Sequence, residues 1–479
     1  MINLLRRTNS NHGEPALMNT NNKFIQLKQQ NIRKHIRGSK LRTFFNLLNS
    51  SDLSLTIEQT LPKHRKRSYP PLTTLSMFLT QALNSDSSCQ NIVNMVAIER
   101  IKSGSHPAST LTAGYCRARQ RLPIALVSNL VYKTGQLTNA LIPKQWRWHG
   151  KRVHLIDGTT LTMPDTKENQ AVYPQQKIQK TGLGFPICRV VGVICLSSGA
   201  IINASIGPYK GKGGSEHTLL RQLLNTFSPG DLVLGDALYG SYFLLCALFH
   251  RGVDVVFEQI GARKSTIDFN KGEYLGVNDH LIQLTKPKRK PEWMTNEEYE
   301  QHPDSLSIRE VKIAGKVLIT NQISVENASK ADLKKLYKKR WNIEVDFRNI
   351  KSTLGMSELS CKTPAMNEKE IWVYFLAYNL IRLLMVQAAL HTKVLPRQLS
   401  FKHTLQLWTA FTDPDDLDDS EMRTKKLFVL ISERKIGNRP GRIEPRAVKR
   451  RPKPFPLLMQ IRSVAREGIK QNGHPKKLK

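Results

Sequence analysis

Apolar positions along this chain change their period near residue 150. Before it they fall at helical spacing among many bases, broken by the linker-like run Pro62-Lys63-His64-Arg65-Lys66-Arg67-Ser68-Tyr69-Pro70-Pro71. From Lys151, runs of strand length take over. Arg152 to Ile156 is one, and it ends at Asp157-Gly158. Arg189 to Cys195 and Ala200 to Ile206 flank Ser197-Ser198-Gly199 and read as a hairpin. Ser215 is placed to N-cap a helix with an apolar stripe of Leu219, Leu220, Leu223 and Leu224. Leu232 to Gly235 predicts a buried strand ending at Asp236, then a helix over Tyr242 to His250 and a strand over Val253 to Phe257. A hairpin followed by strand–helix–strand predicts an α/β fold with a mixed sheet.

Residues 262–329 break that rhythm with turn residues, short alternating segments and the basic run Lys286-Pro287-Lys288-Arg289-Lys290, which predicts a β-rich insertion. Ala331 to Leu354 then predicts one long helix. Ile371 to Leu390 is the longest apolar run, but Asn379, Arg382 and Gln387 interrupt it, so it reads as a buried helix with Asn367 and Glu370 spaced as a capping box. The expected organisation is a helical, basic N-terminal part over 1–150 and an α/β core over 151–261 and 330–395. The insertion at 262–329 splits that core, and a basic C-terminal region follows over 396–479. Arg439, Arg442, Arg446, Lys449, Arg450, Arg451 and Lys453 stand in that last region against Glu444 alone.

Charge narrows the partners. The 479 residues carry 73 Lys and Arg against 38 Asp and Glu, a net charge of +35, which concentrates polyanions and makes nucleic acid the leading partner. In the Tyr115 to Arg121 segment, ahead of Pro123, a helix would set Arg117 and Arg121 on one face suited to phosphates, or simply solvated. The six cysteines form no CxxC pair and have no His at zinc-ligand spacing, so reduced cytoplasmic thiols are expected. Arg6 and Arg7 are followed by no apolar signal core, and nothing predicts a membrane span.

The chemistry concentrates in Tyr337 to Lys351. On a helix turning roughly 100° per residue, Leu336, Ile343, Phe347, Ile350 and Leu354 form a buried stripe. Tyr337, Arg340, Glu344 and Lys351 cluster on an adjacent arc about 60° wide. Asp346 points elsewhere. Taken alone, Arg340 and Glu344 could be an ordinary surface ion pair. Asp157 and Asp236 change the weighing, because each is expected to terminate an apolar strand where burial without a cation is costly. Three hard carboxylates of this kind could converge on Mg²⁺ or Mn²⁺ for phosphoryl transfer.

Those residues resemble the DDE transposases of bacterial insertion sequences, specifically the insertion-sequence-four family. Tyr337, Arg340, Glu344 and Lys351 match its Tyr-x2-Arg-x3-Glu-x6-Lys signature. Asp157-Gly158-Thr159-Thr160 and Leu234-Gly235-Asp236-Ala237 are similar to its two Asp motifs, and Arg439-Pro440-Gly441-Arg442 to its C-terminal region. The resemblance implies an RNase H-like core in which Asp157, Asp236 and Glu344 hold two Mg²⁺ ions, with Mn²⁺ tolerated. It implies cut-and-paste transposition of double-stranded DNA, with nicking, hairpin formation and joining at terminal inverted repeats, carried out by a homodimer. Tyr337, Arg340 and Lys351 would grip phosphates, with Arg348 on the same segment joining the DNA contacts. Trp293 or Trp341 would receive a flipped base, against ordinary packing for either.

Other features are read as structural. Gly207 to Ser215 lacks a P-loop pattern and reads as a strand-to-helix loop. Asp231 reads as a turn residue, Asp165, Asp268 and Asp279 as solvated loop carboxylates, and His154 as a strand residue. The readings set against an active transposase are a catalytically idle end-binding descendant and an RNase H-like nuclease of other substrate.

Overall fold

The computed structural model describes residues 56–57, 59–61, 68–102, 104, 106, 109–211, 213–411, 420–437 and 458–473. The basic runs at Lys63 to Arg67 and Arg439 to Lys453, with Arg6 and Arg7, lie outside the described residues. The chain divides into two compact units, Met1–Lys133 with Phe411–Ser420, and Thr134–Ala410 with Glu421–Lys479.

In the first unit, the helices Pro71–Leu83, Cys89–Lys102 and Ala113–Arg121 enclose a small core of Tyr69, Met77, Ile92, Val93, Tyr115 and Ala118. Pro71 opens the first helix at a position where its missing N–H goes unneeded. Gln81 is buried within it and accepts a hydrogen bond from the Tyr115 hydroxyl at 2.9 Å, tying two helices together.

The second unit is built on one nine-stranded mixed sheet in the order β3-β2-β1-β4-β5-β9-β8-β7-β6. Its strands are β1 Val153–Thr162, β2 Ile187–Cys195, β3 Ile201–Pro208, β4 Leu232–Gly235, β5 Asp254–Glu258, β6 Glu273–Gly276, β7 Asp279–Thr285, β8 Ser305–Ile313 and β9 Lys316–Thr320. β1, β2 and β3 pair antiparallel, while β4 and β5 run parallel to β1. That five-strand order and polarity, with helices on the sheet, is the RNase H-like arrangement implied by the resemblance. The strands of the insertion continue the same sheet, because β9 pairs antiparallel with β5.

Local chemistry accounts for these elements. β-branched residues dominate β2, and the hairpin to β3 turns at Gly199, whose φ of 77° is one that a side chain disfavours. Ser215 caps the Glu216–Arg221 helix by accepting from the Thr218 amide, as its position predicts. Ile156, Val233, Val255, Leu219, Tyr239, Leu245 and their neighbours form the core between the sheet and the Glu216–Arg221 and Tyr242–His250 helices.

The long apolar run lies within helix Pro364–Thr392, which is long and apolar enough to cross a membrane, yet 89% of its most apolar window is buried in the protein. Asn379 explains its own presence there. It accepts from the Ile201 amide and donates to the Ile201 carbonyl, each at 2.8 Å, satisfying backbone that β3 would otherwise leave open. The capping box expected from Asn367 and Glu370 does not form, because the helix begins at Pro364 and both residues lie inside it. Glu370 instead accepts from the Ser360 and Cys361 amides.

Candidate active site

β1 and β4 pair in parallel only as far as Leu155 opposite Leu234, and β4 stops at Gly235. Continuing that register sets Asp157 beside Asp236, at the carboxyl end of β4, where its parallel pairing with β1 stops. Ligands gather at such ends in α/β sheets. Asp236 follows its strand as expected and turns the chain by accepting from the Leu238 amide at 2.9 Å. Asp157 does not terminate its strand. It lies in the middle of β1, because β2 goes on pairing with β1 from Asp157 opposite Gly192 to Thr162 opposite Ile187.

Strand alternation turns Asp157 away from the face of Ile156 and towards helix Asn342–Arg348. Gly192 shares that face, and a Cβ there would stand 3.2 Å from Phe347 Cζ, so the helix sits close over the sheet.

The expected single helix from Ala331 to Leu354 is four pieces. Helix Lys330–Lys338 tightens to a 3₁₀ turn over Lys339–Trp341, relaxes to α-helix over Asn342–Arg348 and widens to a π turn over Asn349–Thr353. The expected stripe of Leu336, Ile343, Phe347, Ile350 and Leu354 is buried throughout. The polar arc is distributed among three partners. The Tyr337 hydroxyl donates to Glu258 at the end of β5 at 3.3 Å. Arg340 lies between two of the expected catalytic carboxylates, donating to Glu344 at 3.1 Å and standing 3.8 Å from Asp157. The Lys351 ammonium donates to the Thr160 carbonyl of β1 at 3.0 Å.

Burial pushes the Asp157 carboxyl up to about 6, with the Asp236 and Glu216 charges adding to the effect and the Gly158 amide and Arg340 opposing it. Burial likewise lowers Lys351 and raises Tyr337, the latter with Glu258 beside it. Glu258 itself is partly buried, which favours its acid form, but the ammonium groups of Lys264 and Lys316 prevail and hold it below the ordinary range.

Asp157 and Asp236 therefore form a crowded pair of hard oxygen donors, short of positive charge, to which a divalent cation is chemically suited. Among the described residues no three His, Cys, Asp or Glu side chains converge as a ready-made metal site. Arg340 stands between Glu344 and Asp157.

Trp341 is 55% exposed on the same segment, and Arg348 is exposed one turn after Glu344. Trp293 is half exposed, with the Arg221 guanidinium 3.8 Å from its ring centroid and Phe243 edge-on to it. Arg117 and Arg121 are both exposed on helix Ala113–Arg121 of the first unit.

The residues read as structural divide. Asp346 is fully buried and accepts from Tyr378, Arg382 and Arg397, so it has no part in the site. His154 is structural, bonded to Asp231 at 3.2 Å. Asp231 is more than a turn residue: it is buried and also binds Arg152 at 2.6 Å. Asp279 is not a solvated loop carboxylate, because it opens β7 and pairs with the fully buried Arg309 at 2.5 Å. Sequence reasoning missed Glu216, Tyr239 and Glu258. The glycines beside Asp157 and Asp236 were the available signal for the first two.

The sequence model of the family described as Transposase DDE domain matches residues 148–380, a span that includes Asp157, Asp236 and Glu344. The fold and this match define the class, a DDE enzyme that cleaves DNA and transfers strands, in a family that generally uses divalent metal ions. The chain belongs to the transposase family of insertion sequence element IS4. It is 30% identical over 406 residues to Transposase InsG for insertion sequence element IS4 of Escherichia coli, covering 82% of this chain and 88% of that protein. It is also 31% identical over 137 residues to the Putative transposase InsZ of Escherichia coli, over 28% of this chain and 45% of that one. A cryo-EM structure of the piggyBac transposase synaptic complex with hairpin DNA aligns over 84% of this chain and 87% of that chain, with 10% identity and a TM-score of 0.41.

Proposed function

We propose that this transposase moves its insertion sequence by a cut-and-paste route, with Asp157, Asp236 and Glu344 holding two Mg²⁺ ions and Mn²⁺ accepted in their place. The observation that carries this reading is the register that sets Asp157 in β1 beside Asp236 at the end of β4, with Arg340 reaching Asp157 and Glu344 from the overlying helical segment. Bound divalent ions would activate the attacking oxygen and stabilise the leaving one. The protein's own groups do the positioning. Arg340 yields Glu344 to the aspartate pair and turns to a DNA phosphate. Lys351, anchored on β1, and Tyr337, anchored on β5, hold phosphates on either side of the scissile bond.

Exposed Trp341 and Trp293 are the aromatic surfaces for a base unstacked during hairpin formation. Arg348, Arg117 and Arg121 contribute phosphate contacts away from the reacting centre. The helical part before residue 150 and the basic region after 396 grip the terminal inverted repeats, and two protomers pair the two ends.

The test is incubation with Mg²⁺ and a duplex carrying the element's own terminal repeats. Nicked, hairpin and joined products are expected from the native protein. Asp157→Ala, Asp236→Ala or Glu344→Ala should lower each product by at least about 100-fold while end binding persists, an effect of the size expected for losing charge stabilisation at a reacting phosphate. Unchanged products from any of the three would remove that residue from the site.

A further inference from the structure

Each expected catalytic aspartate has a glycine next to it in sequence, Gly158 after Asp157 and Gly235 before Asp236. The register that sets Asp157 beside Asp236 puts these glycines on the opposite face of the sheet, next to Ile156. Both spaces left by the missing side chains are filled. A Cβ on Gly158 would stand 2.3 Å from the carboxyl carbon of Glu216 and 2.5 and 2.6 Å from its two oxygens. A Cβ on Gly235 would stand 2.9 Å from the ring of Tyr239. The two occupants are bonded to each other, the Tyr239 hydroxyl donating to Glu216 Oε2 at 2.9 Å.

Glu216 is fixed from its other side as well. Arg189 of β2 stands 3.7 Å from Glu216 Oε1, and its guanidinium donates to the Gly214 carbonyl at 2.8 Å just ahead of the helix. Tyr239 is fully buried against Phe257 of the neighbouring strand.

We infer that Glu216 and Tyr239 form a clamp on the far side of the sheet that sets the spacing of Asp157 and Asp236. Glu216 bears on β1 beneath Asp157, Tyr239 bears on β4 beneath Asp236, and their hydrogen bond ties the two strands where β1 and β4 no longer share ladder bonds. Neither residue touches the reacting DNA; both are positioning residues. The inference rests on the proposed metal-holding role of the aspartates.

The test uses Glu216→Gln and Tyr239→Phe, singly and together, in the full-length protein, with Asp157→Ala as a control. Three quantities are measured: Mn²⁺ affinity by electron paramagnetic resonance, cleavage rate at saturating end DNA, and the melting temperature. Each single variant should weaken Mn²⁺ binding about tenfold and leave end binding within about twofold. The double variant should be no worse than the poorer single one, because residues acting through one shared bond are not additive.

Native Mn²⁺ affinity in Glu216→Gln, or losses that follow melting temperature alone and add in the double variant, would overturn the clamp. If Asp157→Ala kept native Mn²⁺ affinity and cleavage, the metal assignment itself would fail. A dead Asp157→Ala beside a native Glu216→Gln would remove only the clamp.

Discussion

Asp157 carries the clearest consequence at the scale of single residues. Its carboxyl is pushed up to about 6 by burial and by Asp236, against an ordinary value of 3.8. Below pH 3.8 the folded and unfolded chains both hold the proton, so the residue costs nothing. Between 3.8 and 6 the folded chain keeps a proton that the unfolded chain has released, and stability falls as pH rises. Above 6 the full cost of a buried carboxylate remains. Asp157→Asn, measured with a chelator present, should therefore stabilise the protein by about 2 kcal/mol at pH 8, with the gain vanishing towards pH 4. Denaturant melts at the two pH values check this, and an equal gain at both would show that ionisation is not the cause.

Glu344 stands out in the sequence as a candidate because its helical neighbours Arg340, Tyr337 and Lys351 single it out. Glu216 does not stand out, because its partners are Tyr239, 23 residues later, and Gly158 of β1. No local period relates them.

Among the elements, the segment from Lys330 to Thr353 shows what hydrophobic periodicity does and does not specify. Its buried stripe is as predicted, yet the pitch changes three times along it. A 3₁₀ turn and a later π turn can share one apolar face while rotating the polar residues between them. That is why Arg340 and Glu344 stay together while Tyr337 reaches β5 and Lys351 reaches β1.

The same fit makes Gly192 a sensitive position. Gly192→Val would force branched carbon atoms against Phe347, already 3.2 Å from where a Cβ would lie. The expected cost is about 1–3 kcal/mol, as for other overpacked cores. Cleavage should fall by more than the loss of folded protein explains, since the displaced helix carries Glu344. Thermal melts run beside the cleavage assay measure both effects, and native values in both would show that the helix has room to spare.

For the whole molecule, the mixed α/β sheet was readable from the strand-length runs and the strand–helix–strand order. Its extension to nine strands was not, because only the antiparallel pairing of β9 with β5 joins the later strands to the earlier ones, and sequence spacing does not fix such a partner. Asp279 and Asp231 show the same limit: their cations, Arg309 and Arg152, are distant in sequence, so both looked like ordinary loop or turn carboxylates.

The net charge of +35 accords with a protein that works on DNA. Because Arg340 stands between Asp157 and Glu344, metal binding and DNA binding should favour each other, with a DNA phosphate drawing the guanidinium away.

The central claim is that Asp157, Asp236 and Glu344 together hold the catalytic ions. It is tested most directly by counting Mn²⁺ bound to the protein on its own terminal-repeat DNA, using electron paramagnetic resonance. The native complex should bind two ions per active site. Asp157→Asn, Asp236→Asn and Glu344→Gln should each lose at least one ion while the DNA stays bound. Two ions retained in any of these variants, with cleavage lost, would contradict the assignment of that carboxylate as a ligand.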